Sequence, residues 1–392
     1  MRATFSTAQR RARLALRHHL APPAWAPGTA EAAGAVLGLH ATDPASVFIS
    51  AMARIQHPGI AAVEQALYDE RSVVRMLGMR RTVFVVPLGL APVVHVACAR
   101  SIARRERSRT EGLIEKAGIA ADGAAWLREV ETATMESLIA RGQATSRELT
   151  LDVPRLGERL TFVDGKGTAT QQGLSWRVLF LLAAEGRAVR GRPLGSWTST
   201  QYRWAPSTAW FPDGLAEPAP ESAREDLVRR WLRAFGPATL ADLRWWTGWT
   251  LGELRPALGG VGAVEVGLPD GTGLALPDDL EPVAEPDPWV ALLPALDPTV
   301  MGWTERGWYL GEYAPVLFDR SGNAGPTVWA DGRIVGGWAQ RPDGEIVLRL
   351  LEDVGSDVRS AIDAAVETLS GRLGGVRVIP RFRTPLEREL SS

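Results

Sequence analysis

An α+β fold is predicted by two features of this 392-residue sequence. Three times before residue 285, amphipathic helices follow one another at helix-turn-helix spacing, and in the first two units they run into a short strand-like stretch. Residues 286–392 differ in kind, with alternating runs joined at Asp331-Gly332 and Asp343-Gly344, two strong hairpin signals. Helices in close succession ahead of a short strand pair are the pattern of a winged helix-turn-helix. Three such units form a weak internal repeat of pattern, without identity.

The first unit covers residues 1–110. Ser6 or Thr7 caps a basic helix carrying Leu14, Leu16 and Leu20. The stretch is arginine-rich and free of acids until Glu31, a composition that also fits a transit peptide. Helices are predicted at Thr29–Leu37, Ser46–Arg54 and Ala61–Asp69, then a run at Arg71–Met76 and a strand at Val83–Val86. Arg100, Arg104, Arg105, Arg107 and Arg109 follow on one amphipathic helix.

The second unit covers 111–205. A helix at Ala124–Arg141 stops at Gly142, and Thr145 with Glu148 forms a capping box. Phe162-Val-Asp-Gly-Lys-Gly reads as a turn ahead of a helix at Gly173–Glu185, which Gly186 terminates. Arg187, Arg190 and Arg192 then lie on a short basic strand and wing.

A proline-rich loop at 206–220 precedes the third unit, 221–285, with a helix at Ala223–Phe235 and another from Thr239 to Gly248. In 286–392, strands are predicted at Val328–Ala330, Ile334–Ala339, Glu345–Leu351 and Val376–Pro380, with a helix at Val354–Leu373.

Composition excludes several classes. The chain is too long for one ordinary core, and 45% hydrophobic with 23% charged residues is a soluble globular profile, read as cytoplasmic. Cys98 is the single cysteine, and His18, His19, His40, His57 and His95 show no ligand spacing, so no disulfide framework, metal or cofactor is expected. Thr82–Ala99 is uncharged and near membrane-spanning length, but Pro87 and Pro92 interrupt it, so no membrane segment is expected.

Net charge is −1, yet it is unevenly placed. Residues 1–110 hold 15 Lys and Arg against 6 Asp and Glu; residues 211–392 hold 17 against 28. Such asymmetry points to a partner for the basic end, most commonly a phosphate backbone.

The segment Gly38-Leu-His-Ala-Thr-Asp-Pro-Ala-Ser concentrates polar chemistry. His40 and Thr42 share one side of an extended stretch, and Pro44 favours an extended Asp43. A base, a hydroxyl and a carboxylate could hold and polarise one water. The alternative is a plain helix N-cap at Asp43.

With these segments placed, the chain resembles the AlkZ/YcaQ family of winged-helix DNA glycosylases. The likeness covers nearly the whole chain and rests on Met79-Arg-Arg-Thr-Val-Phe-Val-Val-Pro, Phe235-Gly-Pro-Ala-Thr-Leu-Ala-Asp-Leu-Arg-Trp-Trp-Thr-Gly, and Leu292-Leu-Pro-Ala-Leu-Asp-Pro-Thr-Val-Met-Gly-Trp. Asn323-Ala-Gly-Pro-Thr-Val-Trp-Ala-Asp-Gly-Arg-Ile-Val-Gly-Gly-Trp and Arg381-Phe-Arg-Thr-Pro complete it. The resemblance implies three tandem winged-helix domains, a C-terminal β-barrel-like element and a C-shaped DNA-binding channel. It implies monofunctional excision of N-alkylated (N7/N3) purines, bulky adducts and crosslinks included, in repair or antibiotic self-resistance. The family carries a glutamine, an apolar residue, then a glutamine or aspartate where this chain has His40-Ala41-Thr42.

From the residues upward, an N7-alkylated purine is already cationic and leaves without a general acid, so the enzyme needs a positioned water and some negative potential. His40, titrating near neutral pH, Thr42 and Asp43 are the candidates. Asp297 either faces the same pocket or caps the turn at Pro298. A Schiff-base lyase needs a placed lysine, and neither Lys116 nor Lys166 lies in a family motif. Phosphate contacts are expected from Arg80, Arg81, Arg104, Arg105, Arg109, Arg187, Arg190 and Arg192, with Arg333 and Arg341 on hairpins that could enter a groove. Most of the 15 tryptophans, Trp245 and Trp246 among them, read as packing. Three units in one chain fit a monomer around double-stranded DNA carrying one alkylated base. The alternative is a non-catalytic winged-helix DNA-binding or regulatory protein, which would usually be a symmetric dimer with a sensor half.

Overall fold

One arrangement recurs three times along the chain: a helix, a short extended segment, two more helices and a hairpin whose second strand pairs with that segment. The computed structural model describes residues 2–163 and 169–392. First come helix Thr29–Ala35, strand Leu39–His40, helix Pro44–Met52, and helix Ile60–Glu64, which runs on with a wider turn to Asp69. The antiparallel strands Val73–Leu77 and Val83–Pro87 close the set, with Leu39 opposite Val85 and His40 opposite Phe84.

Next, helix Gly123–Arg141 is followed by Ala144, which bridges to Trp204. Helices Ser146–Asp152 and Leu174–Ala184 and strands Ala188–Pro193 and Tyr202–Pro206 complete that set. An extra hairpin, Arg159–Val163 with Ala169–Gly173, is inserted between its helices. The predicted turn from Phe162 falls largely at 164–167, outside the described residues, as does Lys166.

In the third set, helix Pro220–Phe235 leads to Ala238, which bridges Leu274. Helices Leu240–Thr247 and Leu251–Gly260 and strands Val264–Leu268 and Gly271–Ala275 follow. The last three of these elements had no counterpart in the sequence reading. The caps are local and legible. Thr145 with Glu148, Thr239 with Asp242, and Thr250 with Glu253 all form reciprocal capping boxes, and Gly142 and Gly248 adopt positive φ at helix ends.

The C-terminal part is an open sheet, not a closed barrel. Four antiparallel strands lie in the order Val290–Leu293, Thr327–Ala330, Arg333–Gln340, Ile346–Leu350, and helix Gly355–Leu373 packs on the first of them. The sheet's first strand, Val290–Leu293, was not predicted, whereas Val376–Pro380, expected as the final strand, joins no sheet. Gly374 and Gly375, both at positive φ, redirect the chain there. The Gln340 side chain then stands in for a ladder partner, its Oε1 accepting from Val378 N at 2.8 Å.

The basic first helix, Thr7–Arg17, is capped by Ser6 and reaches residues far along the chain. Arg13 and Arg17 both meet Asp279, at 2.9 and 2.6 Å, and Arg11 donates to Trp308 O. Its charge is therefore consumed internally. The largest hydrophobic core joins Phe48, Trp231, Trp303, Tyr309 and Trp329, so the first and third sets and the C-terminal sheet share one interior. Trp126, Leu138, Leu149 and Leu182 belong to a separate core. Among the described residues, no helix is long and apolar enough to cross a membrane.

Candidate active site

Backbone geometry fixes the polar segment first. Pairing of His40 with Phe84 ends the short strand, and Asp43 then caps helix Pro44–Met52, its Oδ1 accepting from Ala45 N at 3.2 Å. The N-cap reading is thus realised. The other carboxylate oxygen is also occupied, because Asp43 Oδ2 accepts from Arg381 N at 2.9 Å. Burial lifts the Asp43 carboxyl above its ordinary range, against the pull of those two N–H donors.

His40 is only 7% exposed and meets the edge of Phe84, with ring centroids 5.1 Å apart. Its Nδ1 is buried without a hydrogen-bond partner. Desolvation, aided by the nearby Arg80 charge, drives its pKa down to about 3. The expectation of a ring titrating near neutrality is therefore overturned: His40 is a neutral imidazole throughout the physiological range. Thr42 is half-buried, and its carbonyl accepts from Arg381 Nη1 at 3.4 Å.

Asp297 is placed elsewhere than in an open pocket. It is fully buried and forms a two-pronged pair with Arg54, at 2.6 and 2.9 Å, while Ser50 Oγ and Thr299 N also donate to it. The contact with Thr299 N is the turn cap after Pro298. Arg54 continues through Thr299 Oγ1 to His18 Nδ1. With every carboxylate lone pair engaged by the protein, this group ties helix Pro44–Met52 to the 294–301 segment.

The arginines divide by partner. Arg80 sits at φ 52 in the tight turn before Val83, stacked 3.9 Å from the Trp245 ring, and Arg306 lies 4.9 Å from the same ring. Trp246 is buried as expected, whereas Trp245 is half-buried between two cations. Burial and the Arg306 charge lower the Arg80 pKa to about 10, so it stays cationic. Arg104, Arg105 and Arg109 are exposed on helix Arg100–Lys116 and form no ion pair with any described residue. Arg190 likewise has no acidic partner among the described residues, and it stacks on Trp204 and Tyr202.

The other candidates are engaged. Arg81 pairs with Glu106, Arg187 with Glu131, Arg192 with Asp69 and Glu64, and Arg341 with Glu345 on an exposed turn. Arg333 pairs with Glu352, and its turn is not free to enter a groove: Gly332 lies against the Arg11 side chain. Glu345 is a near neighbour in sequence, but the other acids are brought in by folding and are invisible in local sequence.

Three residues of this neighbourhood were missed. Arg381 opens one of the motifs that carried the family resemblance and touches both Thr42 and Asp43. Arg75 and Arg306 gave no local signal; Arg75 lies in an apolar run that reads as core. Arg381, Phe382, Phe318, Pro315, Arg320 and Arg388 line a cavity of about 1030 Å³, which shares Arg381 with the contacts to Thr42 and Asp43.

The sequence profile of a family described as DNA glycosylase AlkZ-like matches residues 33–371. Among solved structures, the chain is similar to Streptomyces sahachiroi DNA glycosylase AlkZ, with a TM-score of 0.72 and 20% identity, over 97% of this chain and 99% of that one. At that identity the likeness concerns the fold. No curated protein matches the chain.

Proposed function

Because the chain belongs to the AlkZ-like DNA glycosylase family, we propose that it hydrolyses the N-glycosidic bond of N7- or N3-alkylated purines in duplex DNA by a monofunctional route. The thrice-repeated helix, strand segment, helix pair and hairpin supports three winged-helix units. The observation that carries the catalytic reading is the His40–Asp43 segment. There a neutral imidazole, a half-buried threonine and a capped carboxylate lie together, beside arginines without acidic partners.

Departure of a cationic base leaves a sugar with cation-like character. Asp43 supplies the negative potential that favours it, and its raised basicity suits it to accept the proton the water releases. His40, always neutral, orients that water by a hydrogen bond without storing a proton. Thr42 offers a second hydroxyl contact to it. Arg104, Arg105, Arg109, Arg190 and Arg80 hold the phosphate backbone, and the cavity bordered by Arg381 and Phe318 receives a bulky substituent.

Incubation with duplex DNA containing 7-methylguanine or a bulky N7 adduct, followed by alkaline cleavage at abasic sites, tests the proposal directly. Excision is expected. The burial of His40 favours a second reading, a DNA-binding protein without catalysis; tight binding with no excision from either duplex would establish that reading instead.

A further inference from the structure

Arg75 is the anomaly of the first sheet. It projects from strand Val73–Leu77, is 3% exposed, and its Nε has no hydrogen-bond partner. Among the described residues its one side-chain hydrogen bond is a long one, Nη1 to the Tyr68 hydroxyl at 3.4 Å. Its guanidinium carbon lies 4.6 Å from the Tyr202 ring centroid, and that of Arg190 lies 5.8 Å from the same centroid. Two cations thus flank one ring, where strand Val73–Leu77 packs against strand Ala188–Pro193. The Tyr202 hydroxyl is itself buried and unpartnered. Arg381, anchored through its backbone N–H to Asp43, is near enough that its charge bears on Arg190.

Among the described residues, none of Arg75, Arg190 and Arg381 forms an ion pair. Two other buried arginines meet acids, Arg54 with Asp297 and Arg13 with Asp279, while buried Arg10 is covered by the Trp308 ring. A buried cation without an anion is costly, and Arg75, set beside an idle hydroxyl and a second, half-buried cation, is suited to an anion from outside. Arg190 is half-buried and Arg381 exposed, so the cluster opens toward solvent.

We propose that Arg75, Arg190, Arg381 and the Tyr202 hydroxyl form a cradle for a single backbone phosphodiester of bound DNA, next to the His40–Asp43 segment. The planar guanidinium forks and the phenolic donor match the oxygens of one phosphate. The cradle would fix the register of the strand before any chemistry. This inference rests on the DNA-binding part of the proposed function but not on catalysis, since its readout is affinity.

The test is a walk of single methylphosphonates, one per duplex, around an unreactive abasic-site analogue, with binding measured for wild type and Arg190→Gln. One position is expected to weaken wild-type binding about tenfold and to have no further effect in Arg190→Gln. Tyr202→Phe should show the same coupling at that position, smaller in size. Arg75→Met, at the buried site, should agree if it folds; the other two variants decide the matter if it does not. Purely additive losses at every position would overturn the proposal. Thermal stabilisation by inorganic phosphate that Arg190→Gln abolishes, with additive methylphosphonate effects, would overturn the assignment to DNA and mark a free-phosphate site. Coupling without any base excision would uphold the cradle while refuting the glycosylase reading.

Discussion

Arg54 and Asp297, 243 residues apart, meet in a two-pronged ion pair with both side chains wholly removed from solvent. The pair lies beneath helix Pro44–Met52, whose N-terminus carries Asp43, so it sets the height at which the candidate catalytic segment is held. Removing one partner leaves the other charge buried without compensation.

Asp297→Ala is accordingly expected to destabilise the protein by about 3–5 kcal/mol, and Arg54→Ala similarly. The double replacement Arg54→Met with Asp297→Leu should cost less than the sum of its single changes. Denaturant unfolding of the four proteins measures this; additive losses would show that the pair does not act as a unit.

His40→Ala should reduce excision, by less than the roughly 10²–10⁴-fold a general base supplies, with DNA affinity unchanged. His40→Gln should retain most of the activity, because a neutral hydrogen-bonding group is what the site uses. Single-turnover excision alongside binding separates these outcomes. Equal losses in both variants would point instead to a role that requires the imidazole itself.

The same ring makes stability depend on pH. Its folded pKa, about 3, lies below its ordinary value of 6.5, so the unfolded chain takes up the proton first. Stability is full above about pH 6.5 and declines as pH falls toward 3, by an amount on the order of several kcal/mol. His40→Gln should therefore lose less stability than wild type between pH 7 and pH 4, read as urea midpoints. Parallel curves would contradict the buried, neutral assignment.

Arg104→Ala should weaken binding to every DNA sequence and reduce the slope of log affinity against log salt by about 1. Arg187→Ala and Arg333→Ala, whose guanidiniums already face Glu131 and Glu352, should change that slope far less. Salt titrations of the three variants distinguish paired from available cations.

Cys98 is fully enclosed, and burial pushes its thiol up to about 12. Native protein should resist thiol-specific alkylation at pH 8 and react once unfolded. Rapid modification of the native state would contradict that enclosure.

What the sequence determined by itself was local. Thr145 and Glu148, Thr239 and Gly248, and the Asp-Gly turns announced caps and hairpins because a few neighbouring atoms suffice to satisfy those backbone groups. The position of His40 and Thr42 on an extended segment before a capped helix was legible for the same reason. Tertiary structure alone decided the electrostatics. Whether a given arginine meets an acid, a tryptophan face or nothing depends on groups brought from far along the chain, as Glu352, Trp245 and Asp279 show. It also decided that the strand-like run after Gly375 would serve as a strap pinned by Gln340, since a further strand needs an edge and the chain had already turned away. Burial, set by packing from several segments at once, turned His40 from the expected titrating base into a permanently neutral ring.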